Sequence, residues 1–335
     1  NHPNADDLVP LLGNADTDWQ DEIYQSALQS NQNITINGNL FEVLPSRFSF
    51  GRIYQEGLRL TEKFERNTIS VALNPSLLDD HLRININANS TFEKNRFTDG
   101  VEGTAILFDP TQPVRDPNSP FGGFFEYFQD NGDGEFDGDD LVPNSPGNPV
   151  ASLLQRNNVS NVRRFFGNAN FNYKFHFLPE LSATINLGYD YAEGEGANEL
   201  SRESRATNQN QFLGSKVDYT NQRTNKLLDA FLTYDKEFDQ LGVKLTAGYS
   251  YQKFEDESFT TNEQRDDTPG SEPESFTSTP LVLIGYFGRG EFSLNEKYFL
   301  TLSVRRDGTS RFINDNRWGY FPAAAFAWRI SDENF

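Results

Sequence analysis

The chain has 335 residues, contains no cysteine and carries a formal net charge of −20 at pH 7. The absence of cysteine excludes disulfides, thiolate metal sites and a cysteine nucleophile. The acidic balance argues against a nucleic-acid partner, which needs clustered lysine and arginine. No apolar run of about 18 residues is present, so no transmembrane helix is predicted. Because the sequence contains no methionine and no signal peptide, we expect it to be a fragment of a longer protein.

Residues 1–30 are predicted to be a connecting segment that precedes the first strand. Within it, Asp16, Thr17 and Asp18 come directly before Trp19. An aspartate or threonine at such a position is a typical helix N-cap. We therefore expect a short helix to begin near Trp19.

From residue 31 to residue 335, apolar and polar residues alternate with a period of two, which predicts roughly eleven strands of about 9–12 residues. The clearest examples are Leu82–Phe92, Leu181–Tyr191 and Val243–Tyr251. Weaker alternation predicts strands at Asn33–Asn37, Arg47–Tyr54, Thr68–Leu73, Arg164–Phe175, Leu228–Asp235, Val282–Phe292, Tyr298–Arg305 and Trp318–Ile330. Aromatic residues make up 14% of the chain, which fits strands that face lipid on one side and a polar lumen on the other.

The predicted connections alternate between short and long. Long connections are expected at about 93–160, 192–225 and 255–280, and short turns separate them. Membrane barrels alternate in this way because their periplasmic turns are tight and their extracellular loops are long. The sequence therefore predicts an all-β fold that is part of a large antiparallel transmembrane β-barrel.

An acidic segment in the first long connection approximates a calcium-binding loop. Its candidate oxygen ligands, at the spacing of the twelve-residue loop, are Gln129, Asn131, Asp133, Glu135, Asp137 and Asp140. Gln129 is neutral where an acidic residue is usual, and Asp140 is shorter than the usual glutamate. The hypothesis is a structural Ca²⁺ ion, and the alternative is a solvated acidic loop tip.

Five aromatic residues stand just before the acidic segment. They are Phe121, Phe124, Phe125, Tyr127 and Phe128. Aromatic rings stack on sugar faces, and exposed apolar patches often mark protein interfaces. The hypothesis is contact with a ligand or with a lid protein, and the alternative is a loop that buries its own aromatic residues.

The sequence gives little support for catalysis. The three histidines are scattered, and neither a Gly-x-Ser-x-Gly elbow nor a phosphate-binding loop occurs. We therefore predict that the protein is not an enzyme. The cluster Arg305-Arg306-Asp307 is expected to lie where a strand turns into a loop, with its charges paired at the end of the barrel.

Several strings, taken in order, resemble the SusC/RagA family of TonB-dependent outer-membrane transporters. The longest are Arg305-Arg306-Asp307-Gly308-Thr309-Ser310-Arg311-Phe312 and Asn316-Arg317-Trp318-Gly319-Tyr320-Phe321-Pro322, followed by Ala327-Trp328-Arg329-Ile330-Ser331. Shorter ones are Thr17-Asp18-Trp19-Gln20-Asp21-Glu22-Ile23, Asn33-Ile34-Thr35-Ile36-Asn37-Gly38, Tyr54-Gln55-Glu56-Gly57 and Asn148-Pro149-Val150.

This resemblance implies a plugged barrel of the 22-stranded kind in the bacterial outer membrane. It also implies import of an oligosaccharide, or of a peptide, with energy coupled through the TonB complex. The implied partners are a SusD-like surface lipoprotein, outer-membrane lipid and the glycan or peptide ligand. The plug and the TonB box of a complete member are not found in this chain.

Two other interpretations remain open from the sequence. A secreted, soluble all-β carbohydrate-binding or adhesion protein would pack one sheet face against another sheet. A passive porin would share the strand pattern but would not account for the ordered family strings.

Overall fold

The computed structural model describes residues 12–333, apart from residues 130–131, 133–139, 143, 208–213 and 262–273. Within this range the strands form one antiparallel sheet of 13 members. Eleven of them follow each other as neighbours in chain order, and β4 and β10 are short additions beside β5 and β9. The sheet is open, with β1 and β13 at its two edges.

The strand bounds are as follows. In chain order they are β1 (Gln29–Leu40), β2 (Leu44–Glu56), β3 (Lys63–Leu73), β4 (Ser76–Leu77), β5 (Leu82–Phe97), β6 (Arg156–Phe175), β7 (Leu178–Leu200), β8 (Ser215–Phe238), β9 (Leu241–Thr260), β10 (Glu274–Thr277), β11 (Leu281–Leu294), β12 (Tyr298–Thr309) and β13 (Trp318–Trp328). Each of the eleven predicted strands overlaps one of the eleven main strands, so the fold class predicted from the sequence is confirmed.

One end of the sheet, here called the turn end, carries only tight connections. The β8–β9 turn consists of residues 239–240, and Asp239 has a positive φ of 52°. In the β11–β12 turn, Asn295 and Glu296 have φ values of 53° and 54°. Left-handed residues suit the twist of tight hairpins. The opposite end, here called the loop end, carries the long connections, as predicted.

The two faces of the sheet differ in polarity. In an antiparallel pair, residues directly opposite each other lie on the same face. One row is Phe171, Ile185, Ala230 and Tyr249, and the adjacent row on the other face is Asn170, Asn186, Asp229 and Ser250. We call these the apolar face and the polar face.

The apolar face is exposed rather than covered by protein. Ile36 and Leu232, for example, have 66% and 49% of their surface exposed. The soluble alternative requires a second sheet against this face, and the described residues contain none. An apolar face of this kind is the lipid-contacting surface of a membrane barrel.

The central strands are longer than predicted. Strands β6 to β9 have 20, 23, 24 and 20 residues. On β7, apolar alternation runs from Leu181 to Tyr191, which is about 34 Å along the strand and about 26 Å across a membrane for a tilt of about 40°. The strand then continues to Leu200 through charged residues such as Glu193.

The predicted long connections are therefore too wide. Pairing continues beyond the membrane, where the alternation of apolar and polar residues stops because both faces are in water. The connection predicted at about 192–225 is reduced to residues 201–214, and the one predicted at about 255–280 contains the end of β9 and all of β10. The one predicted at about 93–160 is reduced to 98–155, and its described part contains two α-helices.

Among the described residues, three short α-helices lie at the loop end. They are α1 (Trp19–Ile23), α2 (Glu102–Leu107) and α3 (Pro149–Leu154). The predicted start of α1 is confirmed, since the Asp18 side chain accepts hydrogen bonds from the backbone N–H groups of Gln20 and Asp21. No described helix is long and apolar enough to cross a membrane.

Candidate ligand-binding surfaces at the loop end

Residues 12–28 are tied to two connections at the loop end. The backbone N–H of Thr17 donates to the carbonyl of Pro110 (2.8 Å), and the Trp19 indole Nε1 donates to the carbonyl of Asp109 (2.9 Å). The N–H of Gln25 donates to the carbonyl of Leu58 in the β2–β3 connection (2.8 Å). We call residues 12–28 and 98–155 together the cap.

A hydrophobic core holds the cap together. Its buried members are Trp19, Ile23, Val101, Ala105, Phe108, Phe124, Val150, Ala151 and Leu153. In the described part of the chain, the buried hydrophobic cluster lies in the cap, whereas the apolar face of the strands is exposed. The cap is therefore a small packed unit, and the long connection is folded rather than extended.

The side chain of Asn148 organises the centre of the cap. Its amide Nδ2 donates to the carbonyls of Val114 (3.0 Å) and Phe125 (3.1 Å), and its Oδ1 accepts from the N–H groups of Val150 and Ala151 at the start of α3. Asparagine is a preferred N-cap, and proline at the first helical position supports it. This helix was not predicted from the sequence, although Asn148-Pro149 before an apolar run is a signal for it.

A buried ion pair joins the cap to the β7–β8 connection. Arg205 Nη1 lies 3.3 Å from Glu126 Oε2, and Arg205 Nη2 donates to the carbonyl of Ser145 (2.6 Å). Burial raises the pKa of Glu126, and the Asn148 N–H and the Arg205 guanidinium oppose that shift. The carboxyl group is thus held in a position where loss of its partner would leave a buried charge.

The structure divides the five predicted aromatic contact residues into two groups. Phe121 and Phe124 are buried, with 0% and 4% of their surfaces exposed, so they support the cap from within. Phe125, Tyr127 and Phe128 remain partly exposed, and they stay candidates for external contact. The alternative of a self-burying loop therefore holds for the first two residues.

Most of the predicted calcium loop lies outside the described residues, namely Asn131, Asp133, Glu135 and Asp137. Its two ends are described, and the N–H of Gln129 donates to the carbonyl of Asp140 at 2.7 Å. Asp140 is buried, with 1% of its surface exposed. Among the described residues, no cluster of three or more histidine or carboxylate side chains could hold a metal.

Below the cap, ion pairs cross neighbouring strands on the polar face. These ion pairs are Arg66–Glu93 (2.7 Å), Arg164–Asp190 (2.9 Å) and Arg223–Asp256 (2.6 Å). Arg164 binds Asp190 through two parallel hydrogen bonds, the geometry that fixes guanidinium orientation best. All of these side chains except that of Asp256 line a cleft of about 500 Å³.

A second cleft, of about 430 Å³, opens between β9, β11, β12 and β13 near the loop end. Its polar lining includes Gln252, Arg305 and Asp307, and its aromatic lining includes Phe312 and Phe321. We call it the Arg305 cleft. Planar polar groups beside exposed rings can bind the hydroxyl groups and the apolar faces of one ligand.

The prediction that a strand turns into a loop at the Arg305-Arg306-Asp307 cluster is wrong. The cluster lies within β12, which continues to Thr309. Arg305 Nε donates to Asp307 Oδ1 at 2.5 Å on the polar face. Arg306 points to the apolar face, where its guanidinium lies 4.4 Å from the centre of the Trp318 ring.

Gly285 makes room for the Arg305–Asp307 pair. A Cβ at this position would lie 2.6 Å from Arg305 Nη2 and 2.7 Å from Asp307 Oδ1. Both atoms are at the ends of flexible side chains, so an alanine would displace the pair without a backbone clash. The glycine was not singled out from the sequence, because its role depends on the register with β12.

Comparison with known proteins agrees with the fold. The family model for the TonB dependent receptor-like β-barrel matches residues 108–334. The chain is 36% identical to the TonB-dependent receptor SusC of Bacteroides thetaiotaomicron, over 99% of this chain and 34% of that protein. It is 28% identical to the TonB-dependent receptor P3 of Formosa agariphila, over 97% of this chain and 32% of that protein.

Solved structures give the same architecture. The RagAB peptide importer in its closed-closed state aligns with 97% of this chain and 37% of its own chain, with a TM-score of 0.72 and 15% sequence identity. The chain spans about a third of the length of the curated relatives it matches. The resemblance to SusC and RagA noted in the sequence is thereby confirmed, as is the outer-membrane location. TonB-dependent receptors are transporters and not enzymes, and this chain belongs to the TonB-dependent receptor-like β-barrel family.

Proposed function

We propose that the protein imports an oligosaccharide across the outer membrane, with energy supplied through TonB and with a SusD-like lipoprotein over the loop end. The observation that carries this proposal is the 36% identity to SusC across 99% of the chain. Capture of the ligand beneath the lipoprotein would precede movement of the plug. The strands described above supply the wall of the pathway.

The chemistry of the Arg305 cleft supports a sugar ligand. Arg305 and Asp307 neutralise each other, so the cleft offers paired donors and acceptors rather than a net charge. Phe312 and Phe321 have 57% and 58% of their surfaces exposed. Exposed rings beside planar polar groups suit pyranose rings, which have apolar faces and hydroxyl edges.

A peptide is the second candidate, because the RagAB proteins with the same architecture are named as a peptide importer. The peptide groups of such a ligand would form hydrogen bonds with polar groups of the cleft. Peptides with charged side chains that pair with Arg305 or Asp307 would bind best. The two ligand classes, oligosaccharides and peptides, are distinguished by whether neutral sugars compete with peptides for binding.

For the lipoprotein partner, we propose contact with the cap. The partly exposed rings of Phe125, Tyr127 and Phe128 lie on it, and its core gives them a firm base. Aromatic residues are enriched in the centres of protein interfaces. Substituting these three residues by serine should weaken capture of the lipoprotein while leaving the barrel folded.

The test of the substrate class uses the full-length protein together with its genomically adjacent lipoprotein. Binding of panels of neutral oligosaccharides and of peptides is measured by calorimetry for the wild type and for Arg305→Gln and Phe321→Ala. Arg289→Gln is the matched control, because Arg289 pairs with Glu291 on the polar face of β11 but lies toward the turn end.

We expect the affinity for oligosaccharide to fall at least about tenfold in both cleft variants, because each loses one good hydrogen bond to a charged group or one stacked ring. The affinity of Arg289→Gln should equal that of the wild type. Uptake in cells should stop when TonB is deleted. Peptide binding without sugar binding would replace the proposed substrate class by the second candidate. Uptake that continues without TonB would refute the transport mechanism itself.

A further inference from the structure

The loop-end boundary of the apolar face carries charge of unexpected sign. Following each strand along this face from the apolar residues toward the loop end, we find that eight strands reach a charged residue. The first such residues, one per strand, are Arg52, Glu65, Lys94, Arg163, Glu193, Lys226, Lys253 and Arg306. Six of these are cations and two are carboxylates, whereas the whole chain has 29 lysines and arginines against 49 aspartates and glutamates. We call the six cations the basic collar.

Two members of the basic collar face each other directly. Lys226 of β8 and Lys253 of β9 are register partners, so their Cβ atoms are about 5 Å apart. Like charges directly opposite each other destabilise a sheet. Lys253 has a carboxylate neighbour in Glu255 (2.6 Å), but within the described residues Lys226 has no carboxylate in ion-pair distance.

The aromatic residues around the collar mark its depth. Tyr189 is the partner of Lys226 on β7, and Arg306 lies over the rings of Trp318 (4.4 Å) and Tyr320 (5.4 Å). Tyrosine and tryptophan on a lipid-facing surface lie at the level of the headgroups. The collar therefore lies where the phosphate groups of a lipid leaflet would be found.

The surface next to the lysine pair, toward the turn end, is apolar. The next row on this face contains Leu187, Leu228 and Tyr251, and Leu187 has 45% of its surface exposed. A molecule that bridges the two lysines from the membrane side thus meets positive charge at its head and an apolar surface along its tail.

We propose that Lys226 and Lys253 bind the phosphate of an anionic lipid in the outer leaflet. A phosphate between the two ammonium groups removes their mutual repulsion and accepts charge-assisted hydrogen bonds from both. The lipid is then a specific ligand of the barrel wall. Its acyl chains lie along the apolar row beside the pair.

The test uses full-length protein in nanodiscs made from phosphatidylcholine, with and without diphosphoryl lipid A. Lipid that remains bound after extraction into detergent is counted by native mass spectrometry. In the Lys226→Gln/Lys253→Gln variant, lipid A affinity should fall about 30-fold, since each basic residue near an anionic surface contributes roughly a fivefold effect. The matched control is Lys236→Gln/Lys244→Gln, which removes two lysines from the turn-end halves of β8 and β9.

Retention of lipid A by the control and its loss from the collar variant would support the proposal. Equal retention by the two variants would overturn it. Displacement of lipid A by millimolar inorganic phosphate would also overturn it, because the site would then recognise the free anion and not the lipid. Circular dichroism and heat-dependent gel mobility verify that each variant forms a barrel.

Discussion

Glu126 and Arg205 form the ion pair that joins two connections at the loop end, with Oε2 and Nη1 3.3 Å apart and 2% of the Glu126 side chain exposed. The Glu126 carboxyl group also accepts a hydrogen bond from the Asn148 N–H (2.9 Å). The centre of the cap thus depends on a charge that is removed from water. Removing one partner of such a pair costs about 3–5 kcal/mol.

We predict that Arg205→Gln destabilises the cap at pH 7 and that acid reduces the loss. Burial raises the folded-state pKa of Glu126, and without Arg205 this pKa rises further. For a carboxyl with a raised folded-state pKa, the stabilisation is complete below the unfolded value of about 4.3 and is lost as pH rises through the folded-state pKa. Hydrogen exchange of residues 144–154, corrected for intrinsic rates, measures this dependence.

The control for that experiment is the double variant Glu126→Gln/Arg205→Gln. A neutral glutamine can still accept from the Asn148 N–H, so the double variant should lose less stability at pH 7 than Arg205→Gln alone. Equal losses at pH 7 and in acid for Arg205→Gln would contradict the role assigned to the buried charge.

We predict that Gly248→Ala destabilises the barrel by about 1–3 kcal/mol. Phe231 and Phe287 flank Gly248 on the polar face, and a Cβ there would lie 2.4 Å from Phe231 Cβ and 2.7 Å from the carbonyl oxygen of Ala230. Because the Ala230 carbonyl oxygen is a backbone atom, the backbone would have to move to relieve this clash. The measurement is the urea midpoint of the full-length barrel in detergent, with Gly288→Ala as control, whose nearest contact would be 3.9 Å away.

We predict that Trp19→Ala opens the cap while the strands remain paired. Trp19 has 3% of its surface exposed and packs 4.4 Å, centre to centre, from the Phe108 ring. Loss of a buried tryptophan costs about 3–5 kcal/mol. Limited proteolysis should cleave residues 98–155 sooner than in the wild type. Leu28→Ala, at a side chain with 61% exposure, should leave the cleavage rate unchanged.

If the acidic segment binds calcium, Asp133→Ala with Asp140→Ala should abolish a calcium-dependent resistance of the β5–β6 connection to protease. The hydrogen bond from the N–H of Gln129 to the carbonyl of Asp140 closes the base of the segment, so the first and last candidate ligands lie next to each other. Asp116→Ala is the control outside the segment. Resistance that does not change on chelation in the wild type would reject the calcium hypothesis.

The main strands could be predicted from the sequence because two solvents impose the alternation. Lipid selects Ile185 and Leu187 on one face of β7, and a polar interior selects Asn186 on the other. That pressure ends at the membrane boundary. From Glu193 onward the strand is held by hydrogen bonds and by ion pairs such as Arg163–Glu193, which leave no period-two signature.

The cap could not be predicted in the same way. Its helices α2 and α3 have six residues each, too few for helical periodicity to show. Its core places Trp19 and Leu153 in one buried cluster, although the two residues are far apart in sequence. The composition of the Phe121–Phe128 segment left open whether its rings are exposed or buried, and packing within the cap buries Phe121 and Phe124.

The extension of β7 from Glu193 to Leu200 has a consequence for the cell surface. It raises a stretch of wall about 24 Å long, measured along the strand, beyond the bilayer. Antibodies and phages approaching the bacterium therefore meet pleated sheet before they meet membrane. Because successive side chains of a strand point to opposite faces, substitutions of outward-pointing side chains there can change the outer surface of the wall while the inward-pointing side chains stay constant.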